Sequence, residues 1–375
     1  SSEVSSMSPV SATPASGPGH ATYHQNGPRE LGATAGNAPE APRSFSIERR
    51  SPWPRSAERR APTPRSFGEA HECAESYTEL ELLGRGSYAT VHKVRHKSTG
   101  KLFAVKRVRV RGGRSADVMQ EIFVGMAVDH PHLLRVHGFW QDGGAYCLLT
   151  DLCSSGDLLA YTTKQIAEVK RRDKTWKSGL PTATAMNFVS QMLSGVAFLH
   201  DQGFIHRDIK PQNFLLAAGA SCSSIRLADF GFACSLEEGQ KLSRMVGTPA
   251  FAAPEVFRKD YDRKADLWSL GVTSHIICTD RYPCRGADLH EYVRNVREGK
   301  FARSETAWAP QPPRLRALVW SMLEFDPDRR PSARSAAASQ ASLKSSGASR
   351  TRAETLPKSA GSARGLAGTE QCTIS

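Results

Sequence analysis

Between His206 and Asn213 the chain reads HRDIKPQN, and three of these eight side chains could share one reaction. Asp208 can accept a proton from a hydroxyl, and Lys210 can neutralise a migrating phosphoryl group. Asn213 can hold a metal ion. Sixteen residues beyond it come Asp229, Phe230 and Gly231, and that Asp supplies a hard oxygen suited to Mg2+.

Two features upstream fit the same chemistry. Gly84 and Gly86 stand at the first and third positions of GRGSYA, Ala89 at the sixth, with Val91 two residues on. Around glycines, the backbone N–H groups of Gly84, Arg85, Gly86 and Ser87 can approach a polyphosphate closely. A position between two strands argues against a dinucleotide loop, which needs a strand followed by a helix, and no G-x-x-x-x-G-K-[ST] sequence is present. In Ala104-Val105-Lys106 a single cation interrupts an apolar strand, and Glu121 falls on the inward stripe of the next helix. A carboxylate on an apolar stripe is costly unless paired. A bond between Lys106 and Glu121 satisfies both and holds the amine at the α- and β-phosphates.

These residues need a frame. Five β-rich runs are predicted at 78–83, 88–95, 101–109, 133–139 and 144–150, separated by Gly-containing turns. Between the third and fourth, a helix capped by Ser115 and running to about Val128 would turn Val118, Ile122 and Met126 inward. After Gly156 the pattern is helical. Met186, Phe188, Val189, Met192, Leu193, Val196 and Leu199 mark one amphipathic helix, and residues 265–278 are apolar nearly all round, as in a central buried helix. Ordered sequence is predicted to fade after Pro331.

The order of glycine-rich loop, AVK, Glu121, HRDIKPQN, DFG, Gly247-Thr248-Pro249, Ala253-Pro254-Glu255, D-x-W-S-L-G and D-P-x-x-R resembles the protein-kinase superfamily over about residues 77–336. Lys210, two residues after Asp208, is similar to its serine/threonine branch. Gln212 with ADFGFA at 228–233 is similar to the Unc-51-like kinases, and the calcium/calmodulin-type kinases are a second sub-family resemblance. The resemblance implies an α+β, bilobal fold: an N-lobe (about 77–150) of five antiparallel strands and one helix, then a mainly helical C-lobe (about 151–336). It implies ATP and Mg2+ as cofactors and protein serine or threonine hydroxyls as acceptors. Asp208, Lys210, Lys106 and Glu121 would be catalytic, and Asn213 and Asp229 would hold the metal. Val91 and Ala104 would sandwich the adenine, Thr150 would be the gatekeeper, and Asp151, Leu152 and Cys153 the hinge. Asp157 would touch the ribose or a basic substrate residue. Glu255 would pair with Arg330, Asp266 would brace the catalytic loop, and Thr248 would contact Asp208 and Lys210.

Some positions depart from that pattern. Ala89 replaces a third loop glycine. Gly125 stands where a bulky apolar residue usually completes a stack behind Glu121, which predicts a loosened or regulated helix unless Met126 fills the gap. Gln212 and Ile276 occupy places where Arg-seeking members carry Glu, removing about 1.5–3 kcal/mol of Arg recognition apiece. Arg207 calls for an anion in the activation segment, and Ser243 is the best acceptor for an upstream activating kinase. A pseudokinase scaffold, an interaction protein whose tails do the work, and a small-molecule phosphotransferase are the rival readings.

Of 375 residues, 39% are hydrophobic, which suggests one core diluted by disordered ends. Residues 1–76 carry eight Arg and eight acidic residues, so the net charge of +13 sits in the middle and in the last forty or so residues. With no nucleic-acid motif, nucleic acid is not an expected partner. Residues 1–76 and 337–375 are predicted disordered. The first contains the echo ERRSPWPRSA–ERRAPTPRSF, a docking or phosphorylation array if it is more than low complexity. The eight cysteines form no C-x-x-C pair, pointing to a reducing, cytoplasmic setting. The last four residues from Cys372 match a prenylation signal, and nearby basic residues would supply a second attraction to a membrane surface.

Overall fold

The computed structural model describes residues 74–86, 89–109, 115–217, 224–302 and 305–348. Strands β1 (Tyr77–Arg85), β2 (Ala89–His96) and β3 (Leu102–Arg109) precede helix α1 (Ser115–Ala127), and β4 (Val136–Asp142) and β5 (Ala145–Asp151) follow it. They form one antiparallel sheet in the order β1-β2-β3-β5-β4. The β-branched and aromatic residues of these runs alternate across the sheet. One face is cored by Tyr77, Val94, Phe103, Val105, Cys147 and Leu149, while Val118 and Ile122 of α1 pack on Leu148.

The larger lobe is helical. It contains α2 (Leu158–Arg172), α3 (Thr182–Asp201), the short strands β6 (Phe204–Ile205), β7 (Phe214–Leu216), β8 (Ile225–Leu227) and β9 (Cys234–Ser235), then α4 (Pro254–Phe257), α5 (Lys264–Thr279), α6 (Leu289–Arg297), α7 (Glu305–Trp308), α8 (Pro313–Met322) and α9 (Ala333–Ala348). Every residue of α5 from Ala265 to Thr279 is buried, so this apolar-all-round helix is the post around which the lobe packs. Pairing of β7 with β8 and of β6 with β9 sets out the loops that carry Asn213 and Asp229.

Three expectations are corrected. The fourth strand starts at Val136 rather than 133, because Leu133 and Leu134 pair instead with Leu227 of β8. Met126 does not point inward. It is 40% exposed, and the stripe that α1 buries is Val118, Ile122 and Val124. The boundary expected at 336 falls inside α9, whose Ala333, Ala336 and Gln340 are buried, with Gln340 donating to the Met186 carbonyl of α3 at 3.1 Å. Small residues at helical spacing let α9 lie close on α3, a signal masked by their low hydrophobicity. The repeat before residue 68, Ser87 and the Cys372 signal lie outside the described residues. Among the described residues, no helix is long and apolar enough to cross a membrane.

Candidate active site

Lys106 and Glu121 meet as their spacing demands. The Lys106 ammonium bonds Glu121 Oε1 at 2.6 Å and lies 3.6 Å from Asp229 Oδ1. Burial pulls the Lys106 pKa down, but the charge of Glu121 and then of Asp229 outweigh it and hold the amine above its ordinary value. Burial pushes the Asp229 carboxyl up, yet Lys106, His206 and Lys210 hold it below the usual carboxylate range. Asp229 sits at φ 65°, a left-handed conformation that costs a non-glycine residue about 1–2 kcal/mol.

The loop of residues 206–213 is fixed from beneath. Asp266, in the first turn of α5, accepts from the backbone N–H of His206 at 2.8 Å and of Arg207 at 2.9 Å, and pairs with His200 Nε2 at 2.8 Å. Burial raises this carboxyl, and the hydrogen bond and charge of His200 more than reverse the effect. With both amides held, Arg207 can keep φ at 68°. Asp208, just beyond the turn, accepts from Lys210 Nζ at 2.7 Å on Oδ2 and from the Thr248 hydroxyl at 2.7 Å on Oδ1. Lys210 also donates to Thr248 Oγ1 at 2.9 Å, which closes a triangle of three side chains. The Asn213 amide donates to the Asp208 carbonyl at 2.7 Å, leaving its own oxygen as the free pole of the group. Gly247 stands at φ +89°, and a Cβ there would lie 2.2 Å from the Arg207 carbonyl, so only glycine lets this segment approach the loop.

The segment of residues 241–249, the expected activation segment, is tied to the turn before α5. Leu242 and Tyr261 exchange backbone hydrogen bonds at 2.7 and 3.1 Å, the Tyr261 hydroxyl donates to the Arg244 carbonyl, and Lys241 pairs with Asp262 at 2.6 Å. Ser243 is exposed, and the Arg207 guanidinium donates to the Phe232 carbonyl. Below it, Glu255 and the fully buried Arg330 form a two-pronged pair at 2.6 and 3.3 Å.

Behind Glu121, neither a loosened helix nor Met126 accounts for Gly125. A Cβ on Gly125 would fall 2.4 Å from Val136 Cγ2 and 3.8 Å from Phe230. Val136 of β4 fills the volume, and Phe230 then meets the His206 ring edge-on at 5.5 Å.

The residues expected to face a nucleotide are assembled by sheet register. Gly84 lies opposite Val91, Arg85 opposite Thr90, and Val91 opposite Lys106, with Gly86 N–H donating to the Ala89 carbonyl at 2.8 Å. Ala104 faces Thr150 across β3–β5, and both are buried. The Asp151 side chain is engaged by His137 and Arg226, and the Cys153 sulfur lies 4.0 Å from Arg226; burial pushes that thiol up. Asp157 caps α2 by accepting from Ala160 N–H at 2.9 Å, so in this geometry its first task is structural. No local sequence signal marks His200, His137, Arg226 or Tyr261. Each is a lone polar residue whose partner lies 14 or more positions away.

Residues 77–341 match the protein kinase domain family model. The chain is 29% identical over 261 residues to a calcium/calmodulin-dependent protein kinase type II of Caenorhabditis elegans (68% of this chain, 35% of the relative). It is 32% identical over 218 residues to serine/threonine-protein kinase ATG1c of Arabidopsis thaliana (57% and 28%). To the human phosphorylase b kinase gamma catalytic chain, liver/testis isoform, it is 28% identical over 278 residues (70% and 65%). The chain thus spans 28–65% of the length of these relatives. With this match over most of its length, and with the two-lobed architecture that carries it, the chain belongs to the protein kinase family.

Proposed function

We propose that this chain transfers the γ-phosphoryl group of ATP to serine or threonine hydroxyls of proteins, with Asp208 as the catalytic base. The observation that carries the reading is the hydrogen-bonded set between the lobes, Lys106–Glu121 with Asp229 on one side and Asp208–Lys210–Thr248 on the other. In it, the Asp208 carboxylate is held by three donors, Lys210, Thr248 and the Asn213 amide, so a substrate hydroxyl that displaces one meets an oriented proton acceptor. Lys210, on the same carboxylate, neutralises charge on the transferred group, and Lys106 holds the non-transferred phosphates.

The donor set suits Mg2+. Among the described residues no three His, Cys, Asp or Glu side chains are grouped to hold a metal. One carboxylate (Asp229) and one amide oxygen (Asn213) are what a small hard cation accepts when phosphates and waters complete its shell. When bound, it would neutralise charge on the phosphates.

Protein substrates without a strong Arg requirement fit the site. Gln212 and Ile276 offer no carboxylate, and Asp157 is engaged in its cap. Ser243 is the acceptor for an upstream activating kinase. The test is transfer of labelled γ-phosphate to a generic protein by the full chain and by Asp208→Asn. Transfer to Ser/Thr that drops at least about a hundredfold in the variant supports the reading. Equal labelling by both, or none by either, overturns it.

A further inference from the structure

Among the described residues, backbone joins the two lobes at two places close together. One is the pairing of residues 132–134 with Leu227 of β8, and the other is the strand end at Asp151 leading into the hinge. Between them sits a cluster that neither the fold nor the transfer chemistry requires. His137 of β4 meets Asp151 Oδ1 at 2.9 Å, while Arg226 of β8 lies 3.7 Å from Asp151 Oδ2 and 4.0 Å from the Cys153 sulfur. One carboxylate, on the residue after Thr150, is therefore gripped from the small lobe by an imidazole and from the large lobe by a guanidinium. The ring of His137 is held edge-on by Phe103 at 5.2 Å, and the Asp151 N–H donates to the Arg135 carbonyl at 3.3 Å. All three side chains are about three-quarters shielded from water, enough to weaken solvent screening without the cost of full burial.

The adjoining backbone is where the consequence falls. The Thr150 hydroxyl donates to the Asp151 carbonyl at 3.2 Å, so carboxylate, carbonyl and gatekeeper form one connected unit. Building on the kinase reading, we infer that His137 and Arg226 are positioning residues for nucleotide-base selection: by holding the Asp151 carboxylate from both lobes they fix the pitch of the hinge backbone that meets the adenine. Burial raises the Asp151 carboxyl, but the His137 hydrogen bond and the Arg226 charge hold it low, as a clasp that stays ionised requires. A rotation of one lobe against the other stretches the clasp at once, because its ends belong to different lobes.

The test measures KM and kcat for ATP and for GTP, and calorimetric Kd for both, on the full chain and on His137→Phe, Arg226→Gln and Arg226→Lys. His137→Phe keeps the ring against Phe103 and removes only the nitrogen. The expected result is a rise of about three- to tenfold in KM and Kd for ATP, the size of one partly shielded charge-assisted contact. GTP constants, kcat and the KM for protein substrate should stay put, so the preference for ATP over GTP narrows, and Arg226→Lys should recover most of the loss. Unchanged ATP constants, or ATP and GTP weakening together, would overturn the clasp. Calorimetry separates the two readings: a chain that binds ATP with this variant pattern but transfers nothing defeats the kinase reading alone, and one that binds no nucleotide defeats both.

Discussion

Two ion pairs show how differently the lobes are built. Arg330–Glu255 is sealed inside the large lobe, with side-chain exposures of 0% and 4%, and the guanidinium also donates to the carbonyls of Glu324 and Lys264 and covers Trp268 at 5.2 Å. Lys106–Glu121 spans β3 and α1 at the cleft, with the Lys 26% exposed and a second carboxylate 3.6 Å away. The first has every donor satisfied and no alternative arrangement. The second joins two elements that share only small apolar clusters, and it offers its cation to a newcomer. Permanence in one lobe and adjustability in the other follow from what surrounds each pair.

Breaking the buried pair should do the most damage to folding. Arg330→Ala leaves Glu255 charged and unpartnered, and chemical denaturation should read a loss of about 3–5 kcal/mol. A second strain on the same lobe comes from acid. His275 of α5 is buried, its Nδ1 bonded to the Arg281 carbonyl at 2.8 Å, and burial pulls its pKa from 6.5 to about 4. The unfolded chain therefore binds this proton first. Stability is whole above pH 6.5 and falls as pH drops toward 4, by up to about 3 kcal/mol. Melting curves across that window should show the slope, and His275→Gln should flatten it.

The open pair should behave in the opposite sense. Lys106→Met should cost less stability than Arg330→Ala, about 1–3 kcal/mol, because it strands the largely buried Glu121 but opens the pair on its solvent-facing Lys side. Phosphoryl transfer should fall about a hundredfold or more. If the two variants exchanged behaviours, with Lys106→Met unfolding the chain and Arg330→Ala leaving it intact, the contrast would be wrong. Gly125→Leu tests the contact between α1 and β4: Val136 must move, at a cost of about 1–3 kcal/mol by thermal melting, with activity falling as Phe230 is displaced. The smallest effect belongs to Ser243→Ala. It should abolish stimulation by an upstream kinase while basal activity stays within about threefold, because Tyr261 and Asp262 already hold the segment.

The candidate catalytic residues were legible because they come as contiguous motifs whose members must sit within one turn of each other. Asp208, Lys210 and Asn213 are of this kind, and so is the pairing of Lys106 with Glu121, since a carboxylate on a buried stripe demands a cation. Central α5 was legible from apolarity all round. What stayed hidden depends on tertiary neighbours. Nothing near Gly125 says that Val136, eleven residues on, will occupy its side-chain volume. Asp157 reads equally as ligand or cap until the helix start is seen. Alanine and serine at helical spacing in α9 look like a tail until α3 is there to receive them. His137 and Arg226 each read as a solvated strand residue, and only the fold brings both to Asp151.

The most direct measurement is Mg2+-dependent ATP binding by the full chain, compared with Lys106→Met and with an Asn213→Ala/Asp229→Ala double variant. Convergence of these side chains on one magnesium–nucleotide complex predicts saturable binding that needs Mg2+, weakens in Lys106→Met, and loses its Mg2+ requirement together with most of its affinity in the double variant. Binding that is identical in all three proteins, or insensitive to Mg2+ in the unaltered chain, would contradict it.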